Sequence, residues 1–320
     1  MTRNSESESR YDELLLEVIA QRKRELAARS LSEGPPRLQK RLRRPKLLGA
    51  ILIALAVGAT VWLSQDYLWN LMSYAGESSK RAVLIDPLSE TLPDSYFVQT
   101  TTTLLTSAGY LVDYYGPNNS TVQLFQDLPL KGYGLVIIRA HTSPAIFTGE
   151  PYSSTKYVLE QLTDQLEDGT ASMTGFRFAI TDQFVRLSMH GTFKNSIIVN
   201  MGCSGLAPDR QMAAAFLDKG AGAYVGWDGA VSVTHTDAGI VSFVQGLTNG
   251  QSTRDAVSST VRTLGPDPSY HASLSYLDKG GLAQQRFSQR LMLIGGLTLL
   301  AIMFLPVIGI VYGLRRLGKS

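Results

Sequence analysis

Two charge-free apolar runs constrain this chain of 320 residues more than any other feature. Leu47 to Leu63 is 17 residues without a charge, and Leu291 to Leu314 is 24, interrupted only by glycines and Pro306. Crossing a bilayer takes about 20 apolar residues, so both runs read as membrane spans, the first at the short end. Lys40, Arg41, Arg43, Arg44 and Lys46 precede the first run, and Arg315, Arg316 and Lys319 follow the second. Positive residues stay on the cytoplasmic side, which places both termini inside and the intervening region outside. Trp62, Tyr67 and Trp69 fit an outer interfacial belt. A cleaved signal peptide fits poorly, because its basic region is short and 46 residues come first here.

The expected organisation is therefore a basic cytoplasmic segment over 1–46, a transmembrane helix over 47–64 and an extracytoplasmic domain over 65–290. A second transmembrane helix over 291–314 and a cytoplasmic tail over 315–320 complete it: a two-span protein of the cell membrane. Charge divides along the same lines. Residues 1–46 carry 12 Lys/Arg against 7 Asp/Glu, whereas residues 80–281 carry 13 against 18. An acidic exported domain argues against nucleic acid as a partner. In the N-terminal segment, Tyr11 to Ala28 has helical spacing of Leu14, Leu15, Val18, Ile19 and Leu26. With Pro35-Pro36 and the basic cluster behind it, this reads as a solvated helix, a linker and a topogenic signal.

Between the spans, short β-rich runs alternate with helical stretches. Ala82–Ile85, Tyr110–Tyr115, Leu135–Ala140, Phe176–Ile180, Ile197–Met201 and Ala223–Gly226 read as strands. Ser95–Ser107, Val122–Leu128, Lys156–Leu166, Asp182–Met189, Asp209–Lys219, Thr236–Leu247 and Thr253–Thr263 read as helices. Such alternation predicts an α/β domain, a mostly parallel sheet sandwiched by helices, with its core over 80–265.

Two of these strands end in residues suited to chemistry, and parallel sheets present chemistry at their C-terminal edge. Leu135–Ala140 runs into His141. Ile197–Met201 runs into Gly202, Cys203, Ser204 and Gly205. Cys203 is the single cysteine, so no intramolecular disulfide exists. Gly202 and Gly205 allow a tight turn and close backbone approach. A histidine and a cysteine at two strand ends are candidates for one base and one nucleophile. The competing reading is that a lone cysteine is a small buried hydrophobe.

Other polar residues carry less. His190, His235 and His271 lie in helix or loop contexts and read as ordinary residues. His235 with Asp237 lacks the ligand spacing of a zinc site, so no metal is expected. Gly220-Ala221-Gly222-Ala223 precedes a strand, whereas a phosphate-binding glycine loop follows one, so no cofactor is expected. Asn118-Asn119-Ser120-Thr121 contains two overlapping glycosylation sequons and predicts an exposed loop.

The pattern strand–His141, then strand–Gly202-Cys203-Ser204-Gly205, then Ala214-Ala215-Phe216-Leu217-Asp218-Lys219-Gly220-Ala221 ahead of a strand, resembles the caspase/gingipain/separase superfamily of cysteine peptidases (clan CD). The gingipain-like and CHAT-like branches are the most similar, over roughly 80–265. The resemblance implies Cys203 as nucleophile and His141 as base or substrate-polarising group. Backbone N–H groups at Thr142, Gly202 and Ser204 would form the oxyanion hole. The family usually has glycine directly after the histidine, so a side chain at Thr142 bears on that geometry. The segment Gly226-Trp227-Asp228-Gly229 corresponds to one that helps form the pocket for the residue before the cleaved bond. Trp227 would give an apolar wall and Asp228 a carboxylate for a substrate Arg or Lys, unless Asp228 is simply a turn residue. The expected function is a membrane-anchored extracytoplasmic cysteine endopeptidase acting on peptide or protein substrates. The alternative is a catalytically inactive caspase-like module that binds a membrane protein partner.

Overall fold

The computed structural model describes residues 79–171 and 175–293, with a few helical positions (17, 20–25, 54, 57, 58 and 61) before them. The chain divides into two units, Met1–Thr60 and Val61–Ser320. In the first, residues 20–25 are helical and exposed, within the stretch read as a solvated helix. Most of the first expected span, all but three residues of the second, and both basic flanks lie outside the described residues. Among the described residues, no helix is long and apolar enough to cross a membrane. Residues 279–293 run as a helix up to the second apolar run, where Leu291, Met292 and Leu293 are exposed.

In chain order the strands are β1 (Arg81–Ile85), β2 (Leu111–Tyr115), β3 (Leu135–Ile138), β4 (Ile146–Pro151), β5 (Leu166–Ala171), β6 (Gly175–Ile180), β7 (Ile197–Asn200), β8 (Ala223–Trp227) and β9 (Leu274–Asp278). The helices are α1 (Ser95–Ser107), α2 (Val122–Asp127), α3 (Val158–Leu162), α4 (Asp182–Leu187), α5 (Gln211–Asp218), α6 (Val233–Thr248) and α7 (Thr253–Leu264). Six strands form one sheet in the order β2-β1-β3-β7-β8-β9, parallel throughout except for β9. The expected α/β architecture, a mostly parallel sheet flanked by helices, is present.

The central strands are continuous apolar runs because both of their faces are covered. Val83, Ile85, Val136, Ile138, Ile198 and Tyr224 face a core shared with Phe125 of α2, Phe184 of α4 and Phe216 of α5. Leu84, Leu135, Ile137, Val199, Val225 and Trp227 face the other, with Phe97 of α1, Phe243 of α6 and Val257 of α7. Side-chain caps define several helix starts: Asp94 accepts from the Phe97 amide, and Ser252 from that of Asp255.

Two readings are corrected. Lys156–Leu166 is not one helix. Tyr157 and Asp164 take left-handed conformations (φ 51° and 56°), leaving only the short α3 between them. Leu166 then opens β5, which pairs with β6 in a separate antiparallel sheet of order β4-β6-β5. Phe176–Ile180 is thus a strand, but outside the main sheet. It belongs to an arm that lies between β3 and β7 in the chain, and its Phe178 and Ile180 join the core of α2, α4 and α5, a partnership that periodicity alone does not reveal. The antiparallel β9 was also not evident in the sequence.

Candidate active site

β3 and β7 are neighbours, with Ile138 opposite Asn200, and the Met201 amide donates to the Ile138 carbonyl at 2.9 Å. His141 and Cys203 each lie three residues beyond that matched pair, at the same edge of the sheet. Strand alternation continues past β3: Arg139 reaches α6 on one face and Ala140 packs into the core of the other. Cys203 packs on the side of Arg139, with the α6 core. Adjacent, register-matched strand ends bring the two residues to one edge of the sheet.

They do not share a hydrogen bond. The half-buried Cys203 Sγ accepts the Val231 amide at 3.5 Å and donates to the Val231 carbonyl at 3.6 Å. The His141 imidazole lies in a small niche with Pro87, Leu88, Thr91, Phe147 and Arg177, its ring tilted 62° to that of Phe147 at 6.1 Å. The residue is still exposed, and partial desolvation in the niche lowers its pKa, which favours the neutral ring.

Thr142 occupies the position where glycine was expected, and the structure accommodates it from behind. It is buried, and its hydroxyl donates to Asn200 Oδ1 at 3.0 Å. The same oxygen accepts the Gly202 amide at 3.1 Å, while Asn200 Nδ2 donates to the Tyr224 hydroxyl at 2.9 Å. Asn200 thereby stitches the loop after β3 to the loop after β7. A Cβ at Gly202 would collide with Thr142 Oγ1 and lie 2.5 Å from the Ala140 carbonyl. Thr142 fits because residue 202 has no side chain, and its hydroxyl is taken up by Asn200.

Other expected roles change. The Ser204 amide is committed to the Gly229 carbonyl at 2.7 Å, and the Gly202 amide to Asn200, so neither is free for an oxyanion. Among the described residues, the Thr142 and Cys203 amides make no backbone hydrogen bond and remain candidates. Trp227 is no pocket wall: it is 1% exposed, and its Nε1 donates to Thr236 Oγ1 at 2.9 Å within the core. Asp228 is exposed and accepts the Ser273 amide at 2.7 Å, so it serves the turn into β9. With Trp227 in the core and Asp228 engaged in the turn, the two residues do not form the wall and carboxylate expected for a substrate Arg or Lys. A cavity of about 130 Å³ does open between the two loops, lined in part by Pro144, Ala145, Ser204, Gly205, Glu167 and Arg210.

Sequence reasoning missed a buried ionic cluster at the same edge. Arg139 is 0% exposed; its Nε and Nη2 grip both Asp237 oxygens at 2.8 and 2.9 Å. Its Nη1 donates to Asp86 Oδ1 and to the Leu92 carbonyl, each at 3.0 Å. Burial opposes the guanidinium charge, but the two carboxylates outweigh it and raise the arginine pKa. The available signal was a lone charge closing an apolar strand, at Arg139 and again at Asp86. Among the described residues, no group of three His, Cys, Asp or Glu could hold a metal. No protein-family model and no curated protein matches the chain.

Proposed function

We propose that this chain is a membrane-anchored, extracytoplasmic, caspase-like cysteine peptidase, its α/β domain inserted between two membrane spans. The supporting observation is the register of the site: His141 and the single cysteine leave adjacent parallel strands at matched positions, at one edge of the sheet. Cys203 Sγ attacks a substrate carbonyl, and its proton passes to His141 directly or across the substrate. The tetrahedral oxyanion faces the amides of Cys203 and Thr142. Collapse breaks the C–N bond as the imidazolium protonates the leaving amine, and water hydrolyses the resulting thioester. For this, Cys203 must leave the Val231 carbonyl, a loose apo arrangement of the kind that tightens on substrate binding.

That same contact favours a second reading, a catalytically inactive module binding a peptide or membrane protein partner, since the thiol proton is already directed to Val231. A peptide-library cleavage assay on the full-length protein separates them. The peptidase reading expects cleavage that is lost in both Cys203→Ala and His141→Ala. Peptide binding without cleavage, unchanged in those variants, would establish the inactive module instead.

A further inference from the structure

The buried cluster around Arg139 has a geometry that a packing role does not require. Thr236 and Asp237 are adjacent residues near the start of α6. Thr236 Oγ1 donates to the Met201 carbonyl at 2.9 Å, and Asp237 holds the Arg139 guanidinium by both oxygens. Met201 lies two residues before Cys203, and Arg139 two residues before His141. One turn of helix thus grips both strand ends at equal distances from the two candidate residues. Arg139 extends the grip to the His141 niche: its carbonyl accepts the Leu88 amide at 3.2 Å, and Asp86 caps the turn Pro87–Glu90 through the Ser89 amide at 3.1 Å. Pro87 and Leu88 wall that niche, with Glu90 and Arg177 as its charged members, paired at 2.6 Å.

Burying one arginine with two carboxylates gains little net stability over apolar packing of the same volume. What a planar, bidentate fork supplies is fixed direction. We propose that Arg139 is a positioning residue, which through Asp237 and Asp86 sets His141 in line with Cys203. This rests on the dyad reading above. The test is the pH dependence of Cys203 alkylation by iodoacetamide in the full-length protein, which needs no known substrate. Under the dyad reading the wild type shows an inflection from His141, absent in His141→Ala, where a single thiol curve remains. Arg139→Lys keeps the charge but loses the fork. It is expected to abolish the His141 inflection and slow alkylation at pH 7 at least about tenfold, while the His141→Ala curve is unaffected by adding it. If the lysine variant does not fold, Asp237→Asn, which leaves Arg139 bonded to Asp86 and Leu92, is expected to give the same loss. An inflection retained in a folded Arg139→Lys or Asp237→Asn protein overturns the positioning role alone. A wild-type curve already identical to His141→Ala overturns the dyad and the positioning role with it.

Discussion

At the scale of single residues, Asn200 and Gly202 decide whether the two site loops meet. Replacing Asn200 with alanine strands the Thr142 hydroxyl, the Gly202 amide and the Tyr224 hydroxyl in a buried setting, each of which had been paired. Unpaired buried groups cost about 1–3 kcal/mol apiece, so a loss of at least about 3 kcal/mol is expected in denaturant unfolding. Gly202→Ala should destabilise as well, and Thr142→Gly should restore only part of the loss, because the Ala140 carbonyl still meets the new methyl group. A complete rescue would place the clash solely on Thr142. The strand-end positions of Cys203 and His141 were legible in the sequence, since buried apolar runs that stop at a polar residue are visible without a structure. Asn200 and Arg139 were not, because their partners come from Thr142, Tyr224 and Asp237, and only strand order brings these together.

At the scale of elements, the start of α6 carries the site. Its N-cap residue Ser232 gives amide and hydroxyl to Asp267 Oδ2 at 2.9 and 2.6 Å, and Val231 beside it holds Cys203. Burial works against ionisation of Asp267, but bonds from Ser232 and from the Tyr270 and Ser269 amides hold its carboxyl well below the usual range. A depressed carboxyl adds stability that is fully present above its unfolded value of about 3.9 and is lost as pH falls through the folded value. Asp267→Asn is therefore expected to melt lower at pH 7 and to lose less on acidification from about pH 4 to 2 than the wild type does. His141 has the same sign in another window: its lowered pKa means stability is lost as pH drops below about 6.5, so His141→Gln should flatten the melting curve's dependence there. Parallel melting-versus-pH curves for either variant and wild type would remove that group from the account. The strand–helix alternation of the main sheet was readable because each element carries its own periodicity. The β4-β6-β5 arm was not, since β5 resembles a helix continuation until its pairing with β6 is known.

For the whole molecule, two spans and an outward-facing 65–290 are the proposal drawn from apolar length and basic flanks, which lie largely outside the described residues. Because Cys203 is the only thiol, its labelling under denaturing conditions reports the side of the membrane. An extracytoplasmic domain predicts that an impermeant maleimide reaches it in intact cells, after mild unfolding that spares the bilayer. Labelling only after permeabilisation would invert the topology. Whether Cys203 and His141 act as one nucleophile–base pair is decided by intact-mass measurement after exposure to a peptidyl electrophile. One adduct per chain is expected, mapped to Cys203, absent in Cys203→Ala and formed about 100-fold more slowly in His141→Ala. An adduct whose rate is the same with and without His141, or no adduct at Cys203 at all, would contradict that pairing.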